Sequence, residues 1–418
     1  MHESTAKPRR RAQALAAALA LSLSCAAEEP QPPAEVAAWE AFCDQLKSSG
    51  AALLREHAQT REVDRAEGAV YLAQQAAAAV KYVLVQRDRH QPLLRVGATT
   101  LDKWGLDGAD AKYLGAAIDA EGDYILHGRL GNARLFAVQL STMLPRYAAF
   151  ASLSEEELAP GADGRFSLRI SRERPAGWQG PWLPLNPRAT DVLVREYFDN
   201  WESERPSELQ LERLDAAPVP GPLGVKEAAA LLGGMGTAFE QRAAMWLRRS
   251  QQLQRHALNR FQQAPQKAGG QGLRDNLYAT AWYRVATGEA LLIQLEAPDA
   301  LMWSFQLGNY WWESLDYLNH SASLNGHQAQ RSADGRYRLV IALEDPGVPN
   351  WLDPAGHPEG LLLYRAQRAT RAPAPRMEML PLAALRGRLP ADTPAVSPEA
   401  RRAERARRLA HAARRWAP

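Results

Sequence analysis

With 418 residues, 46% apolar and 23% charged, the chain has the length of two or three domains and the composition of a globular protein, which excludes a wholly disordered or wholly membrane-embedded chain. Its net charge of +3 is unevenly spread: residues 1–27 carry four Lys/Arg against one Glu, residues 397–418 carry seven Arg against two Glu, and the body between is left at −5. A basic face for nucleic acid on the body is therefore not expected.

The chain opens with "KPRRR", the apolar run "AQALAAALALSLS" and the small residues "CAA". That order of charge, apolar run and cleavage site predicts an export signal over 1–27, and the run falls short of the ~20 residues of a membrane span. The protein is expected outside the cytoplasm, periplasmic or secreted. Cys25, in "LSLSC", stands where a lipoprotein's modified cysteine would, although Ser22 occupies a position where leucine is usual; cleavage after Ala27 would instead release a soluble chain. Cys43 is the only other cysteine, so no intrachain disulfide framework is expected. The absence of CxxC and HExxH from the sequence argues against a zinc site, and no metal or cofactor is expected.

After "EEPQPPAE", residues 28–90 read as a helical segment, with helices over 34–58 and 62–86, the second rich in alanine at helical spacing. Residues 91–216 change to short β-type runs separated by Gly, Asp and Pro ("DYILHG", "LFAVQL", "RFSLRI", "TDVLVREYF") and form a first β-domain. Residues 217–270 comprise the linker "APVPGPLG" and a second helical segment. Residues 271–370 return to strands as a second β-domain, and 371–418 form a Pro/Arg-rich tail ending in a basic helix.

The two β regions resemble each other. "DGRFSLRISRERP" from Asp163 parallels "DGRYRLVIALEDP" from Asp334; "LFAVQL" parallels "MWSFQL"; "VRE" around Arg195 parallels "YRA" around Arg365. The offset drifts only between 165 and 171, as loop-length changes would produce. The expected fold is α+β: two duplicated antiparallel β-sandwich or jelly-roll-like domains with N-terminal and inter-domain helices.

The second copy has "GNYWWESLDYLNHS" where the first has "STMLPRYAAF". Read as a strand, Tyr310, Trp312 and Asp316 share one face; read as a helical turn, Asn309, Glu313 and Asp316 converge. Either way aromatic rings lie beside carboxylates, which suits a sugar-stacking or cation-binding wall, while the alternative is an aromatic core plug. The loop "DPGVPNWLDPAGHPEG" adds Asn350, Trp351, Asp353, His357 and Glu359. Asp353 could orient His357 as a general base with Glu359 as a second acid, or Asp353 could simply cap a turn. Trp303 would complete the aromatic wall, and Arg365 could pair with a ligand carboxylate. His320 and His327 sit too far apart along a hairpin strand to share a metal.

"WSFQLGNYWWESLDY", "DGRYRLVIALEDPGVPNWLD" and "GHPEGLLLYR" resemble the domain-of-unknown-function 1214 family over 275–368. A looser likeness runs through 60–215, and members of that family often follow a related domain numbered 1254. The resemblance implies paired β-domains, no settled activity and no catalytic residues to carry over.

Two functions follow from the residues. One is an exported envelope protein that binds, or processes by cofactor-free acid–base chemistry, a small carbohydrate-like or apolar ligand at the second β-domain. The other is a non-enzymatic structural or assembly protein, whose Arg-rich tail could also contact an anionic membrane surface with Trp416 as anchor.

Overall fold

The structure, a computed structural model, describes Met1 and residues 32–217, 221–261, 266–267, 273 and 276–415. The rest of the expected export signal, with Cys25, and Trp416 lie outside the described residues.

Helix α1 (Ala34–Glu56) begins directly after Pro32-Pro33, whose fixed φ suits the entry to a helix. Helix α2 (Glu62–Arg87) is entered through Arg61, whose amide donates to Asp64 Oδ2 at 3.3 Å. Both helices end within two residues of their expected limits.

The first β-unit contains β1 (Arg95–Gly97), β2 (Ala111–Ala117), β3 (Tyr124–Arg129), β4 (Leu135–Thr142), β5 (Ala148–Ser154), β6 (Arg165–Ser171), β7 (Trp182–Pro184), β8 (Asp191–Tyr197) and β9 (Glu208–Arg213). Helices α3 (Val225–Ala244) and α4 (Leu247–His256) lead to the second unit: β10 (Gln266–Lys267), β11 (Asn276–Arg284), β12 (Glu289–Glu296), β13 (Asp299–Gly308), β14 (Ser323–Asn325), β15 (Arg336–Ile341), β16 (Trp351–Leu352), β17 (Glu359–Arg371) and β18 (Arg376–Pro381). The short α5 (Leu385–Arg388) and the terminal α6 (Pro398–Arg415) follow.

The sheets establish the duplication. One sheet runs β1-β2-β8-β4-β5 and its counterpart β10-β11-β17-β13-β14; the other runs β7-β6-β3-β9 and its counterpart β16-β15-β12-β18. Every strand thus has a partner at the same place in the other unit. The pairing is antiparallel except for β6–β7 and β15–β16, which are parallel. Each unit is a sandwich: alternate residues such as Val138, Leu168 and Val194 fill the first core, and Phe305, Leu339 and Tyr364 fill the second.

Two expectations change. The second unit does not stop at 370: β18 pairs with β12 from Glu289↔Pro381 to Gln294↔Arg376, so part of the presumed tail is its last strand. And the terminal helix is not a free basic arm. Arg408 donates to the carbonyls of Tyr317 (3.2 Å) and Ser323 (2.7 Å), and Arg415 to that of Ala109 (2.6 Å), which ties α6 across both units.

The outer face of β11 and β17, through Trp282, Leu361 and Leu363, packs against the helical layer. The outer faces of the two five-stranded sheets meet farther along, where Ala111, Ala137 and Tyr197 touch Met302.

Candidate functional site

The aromatic stretch 309–317 is spent on the core. Tyr310, Trp311 and Trp312 are 2%, 1% and 5% exposed. Trp311 inserts over Gly68 of α2, where any side chain would overlap its indole ring, and donates its Nε1–H to the Asp64 carbonyl at 2.6 Å. Tyr310 Oη lies 2.7 Å from His57 Nδ1, and Trp312 stacks on Trp246 with Arg249 near its ring. Trp303 belongs to the inner core of the second sandwich. The segment is neither strand nor helix. Asn309 Oδ1 accepts the amides of Trp311 and Glu313, its Nδ2 donates to Glu313 Oε2 at 2.9 Å, and Trp312 takes a left-handed φ of 61°.

The remaining expected residues do not converge either. Asp316 caps its own turn, accepting the amides of Leu318 and Asn319. Asp353 pairs with His320 (2.7 Å), not with His357. His357 lies against Glu67 of α2 (2.8 Å) and donates from Nδ1 to the Pro354 carbonyl. Burial works against its charge, but the bond to Glu67 wins and raises its pKa. Glu359 is held between Arg61 and Arg284, each at 2.6 Å, and accepts from Trp282 Nε1; those bonds overcome burial and keep its carboxyl below the ordinary range. Asn350 spends its side chain on the backbone of Gln330 and Arg338. The expected Asp353–His357–Glu359 set is therefore split among different partners: Asp353 pairs with His320, His357 with Glu67, and Glu359 with both Arg61 and Arg284. Among the described residues, no group of three or more His, Cys, Asp or Glu side chains could hold a metal ion.

Trp351 and Asn350 do line a cavity of about 390 Å³ beneath α6, and Trp351 also lines a neighbouring one of about 260 Å³ that includes Asp353 and His320. Their aromatic faces are already covered: Arg401 lies over Trp351, while Arg408 and the stacked His411 cover Trp201. On each ring a side chain of α6 already occupies a place where a sugar would stack.

A different cleft meets the requirements of a ligand site. It lies on the outer face of the first unit, beneath α2, with a free volume of about 190 Å³. Its floor comes from β2 and β8, where Gly115 and Ala117 alternate with the core-facing Leu114 and Ala116. A Cβ built on Gly115 would meet nothing nearer than the Val192 carbonyl at 3.9 Å, so the space exists because the strand carries no side chain there. Tyr82 and Val85 of α2 and Trp104 form the roof and wall. Its polar side chains are Lys81 and Asp102, paired at 3.1 Å, with Arg95, Ser141, Asp191 and Arg242. Arg242, 7% exposed, lies over the Trp104 ring at 4.7 Å and has its Nε unpartnered. Ser141 Oγ is buried without a partner. Asp191 is pushed up to about 6 by burial, opposed by its bonds from Thr190 (2.6 Å) and Gln86 (2.8 Å). A mostly apolar lining with a few convergent polar groups and one perturbed acid is the common composition of small-molecule sites. Sequence reasoning missed this cleft because its lining comes from six separated stretches of chain; the small residues of "KYLGAA" were the one local sign.

Comparison with known proteins places part of this architecture. Residues 111–198 match a family described as a protein of unknown function, DUF1214. The matched span runs from β2 to just past β8, in the first unit rather than in 275–368, to which the resemblance in the sequence points. A solved structure of an uncharacterised protein from Burkholderia cenocepacia is 29% identical, covering 83% of this chain and 97% of its own with a TM-score of 0.77, a share too large to be confined to one unit. The VPA0106 protein of Vibrio parahaemolyticus is 12% identical, covering 74% of this chain and 99% of its own, with a TM-score of 0.44. No curated protein matches the chain.

Proposed function

We propose that this is an exported binding protein of the cell envelope whose ligand is a small, mostly apolar molecule seated beneath α2 on the first β-unit. The observation that carries the reading is the cleft over Gly115 and Ala117, an apolar space bordered by the unpartnered Nε of Arg242 and Oγ of Ser141. Those two groups would fix the orientation of a polar end while the floor takes the apolar body. Binding is favoured over catalysis because Asp191, the perturbed acid of the cleft, already has both carboxylate oxygens bonded. Export rests on residues 1–27, and the mass of the chain recovered from a bacterial periplasm tests it: loss of that segment is expected, and an intact N-terminus in the cytoplasm would end that half of the reading. Contact with an anionic surface would fall to the exposed side of α6, since its buried arginines are already spent.

The test is a thermal-shift screen of fatty, terpenoid, steroid and aromatic compounds, with sugars as a comparison, on wild type and Gly115→Leu. A Cβ has room at that position and the rest of the leucine would extend into the cleft, so the variant is expected to melt at or above the wild-type temperature. A compound that raises the wild-type melting temperature by several degrees should lose its effect in the variant, because the side chain takes its place. A shift that survives in Gly115→Leu, or a response to sugars alone, would overturn the assignment.

A further inference from the structure

The seam between the two units holds a second feature, independent of what the cleft binds. On the outer face of the first unit Tyr113 of β2 is registered opposite Arg195 of β8; on the second, Tyr278 of β11 is registered opposite Arg365 of β17. A glutamine follows in each copy, Gln139 on β4 and Gln306 on β13. The duplication has thus kept an arginine, a tyrosine and a glutamine in equivalent strands.

These faces come together. Arg195 and Arg365 are 7% and 5% exposed, and the phenols of Tyr113, Tyr197 and Tyr278 lie within electrostatic reach of both guanidiniums. A side chain starting at Gly108 would meet Tyr113 Oη at 2.9 Å and Arg365 Nη1 at 3.4 Å, so groups of the two units flank one point. No phenol supplies a negative charge near neutral pH, because the ordinary tyrosine pKa is about 10. Among the described residues, no carboxylate lies within ion-pair distance of either arginine. The acid whose charge acts on Arg365 is Asp110, whose Oδ1 is taken by Trp201 Nε1 (2.9 Å) and Asn325 Nδ2 (2.8 Å). Among the described residues Arg195 has one hydrogen-bond partner, donating from Nη2 to Tyr147 Oη at 2.8 Å. Arg195 Nη1 and both Nε and Nη1 of Arg365 are buried without any hydrogen-bond acceptor.

Two buried cations with no ion-pair partner among the described residues are costly, and a buried guanidinium is ordinarily paired. We infer that Arg195 and Arg365 form an inter-unit binding site for an oxyanion, a carboxylate or phosphate group, taken between the duplicated sheets. The guanidinium fork matches the planar oxygens of such a group, and the tyrosine hydroxyls supply further donors. Tyr147, half-buried in the β4–β5 turn and bonded to both Arg195 and Gln139, is the group an entering anion displaces.

The test compares malonate, phosphate and sulfate with chloride at one ionic strength, by calorimetric titration and by melting temperature, on the full chain. The expected result is a rise of several degrees with malonate or phosphate and none with chloride; which of the two acts separates a carboxylate from a phosphate ligand. Arg195→Gln and Arg365→Gln should lose the response, yet melt without added anion at or above the wild-type temperature, because each removes an uncompensated charge. A purely structural arginine would give the opposite, a lower melting temperature. Tyr147→Phe, which deletes only the oxygen that occupies Arg195 Nη2, should bind the anion at least several-fold more tightly. Wild type that titrates no oxyanion, glutamine variants that keep the response, or a Tyr147→Phe variant that binds more weakly would each overturn the assignment.

Discussion

Glu313 is the carboxylate whose surroundings displace it most usefully. It is 6% exposed and pushed up to about 7 by burial, with Asp107 and Glu67 adding to the rise and Asn309 and Lys103 opposing it. The folded chain therefore holds a proton there that the unfolded chain releases near the ordinary pKa of about 4.3. Between those values the folded state binds more protons, so stability falls as pH rises from about 4.5 to about 7. At 1.36 kcal/mol per unit the loss is at most about 3 kcal/mol. Asp64, pushed up to about 6 by burial, has the same sign. His357, raised by Glu67, likewise loses its contribution as pH rises through its folded value. Glu313→Gln, which imitates the protonated acid, should match wild type near pH 4.5 and exceed it at pH 7.5 in melting temperature; equal pH dependence in the two proteins would refute this. At this scale the sequence showed which side chains carry charge but not which partners they meet. Asp353, His357 and Glu359 looked like one catalytic set because they are neighbours in one loop. Each instead meets a side chain outside that loop, and Glu67 and Arg61 lie almost 300 positions away.

Helix α6 was legible as a helix and misleading as a tail. Its composition suggested a solvated or lipid-facing surface, but Arg408, His411 and Arg415 face inward. His411 is neutral, pushed down to about 3 by burial and by Arg415, so Nδ1 can donate to the Trp201 carbonyl while Nε2 accepts from Arg415 at 2.8 Å. Arg408 satisfies two buried carbonyls and lies 5.2 Å from the Trp201 ring centroid. Hydrogen bonds from charged groups are worth about 1.5–3 kcal/mol each, so Arg408→Ala should cost roughly 3 kcal/mol in urea unfolding. Leu409→Ala, one residue on and 45% exposed, should cost under about 0.5 kcal/mol. Equal, small effects would mean that the helix does not hold the units together. β18 was missed for a related reason. "RMEMLP" is a short, partly exposed edge strand flanked by prolines, with too little apolar alternation to stand out from a linker.

Across the whole molecule the two units do not behave as independent beads. The five-stranded sheet of the second unit is buried on both faces, which is why "EGLLLYRAQ" in β17 reads as a nearly continuous apolar run. Removing α1–α4 would bare Trp282, Leu361 and Leu363, an exposed patch that favours association. Calorimetry should accordingly show one cooperative transition for the chain from 32 to 415, and residues 276–397 alone should show no sharp transition in solution. Two separated transitions, or a soluble and sharply melting second unit, would show that the helical layer contributes little.

What the sequence determined by itself is whatever local pattern and internal repetition encode. Alanine-rich helical spacing placed α1 and α2, and the paired motifs at offsets of 165–171 established two β-units of one kind. The same comparison put Arg195 and Arg365 in equivalent positions before any contact was known. The tertiary structure decided which faces are covered. That depends on how sheets and helices stack, not on any one strand's alternation, so "NYWWESLDYLNHS" reads identically as a ligand wall or a core plug until α2, with its Gly68, is packed against it. For the same reason the cleft above Gly115 and the charge-bearing seam between the units appear only once distant strands are brought face to face.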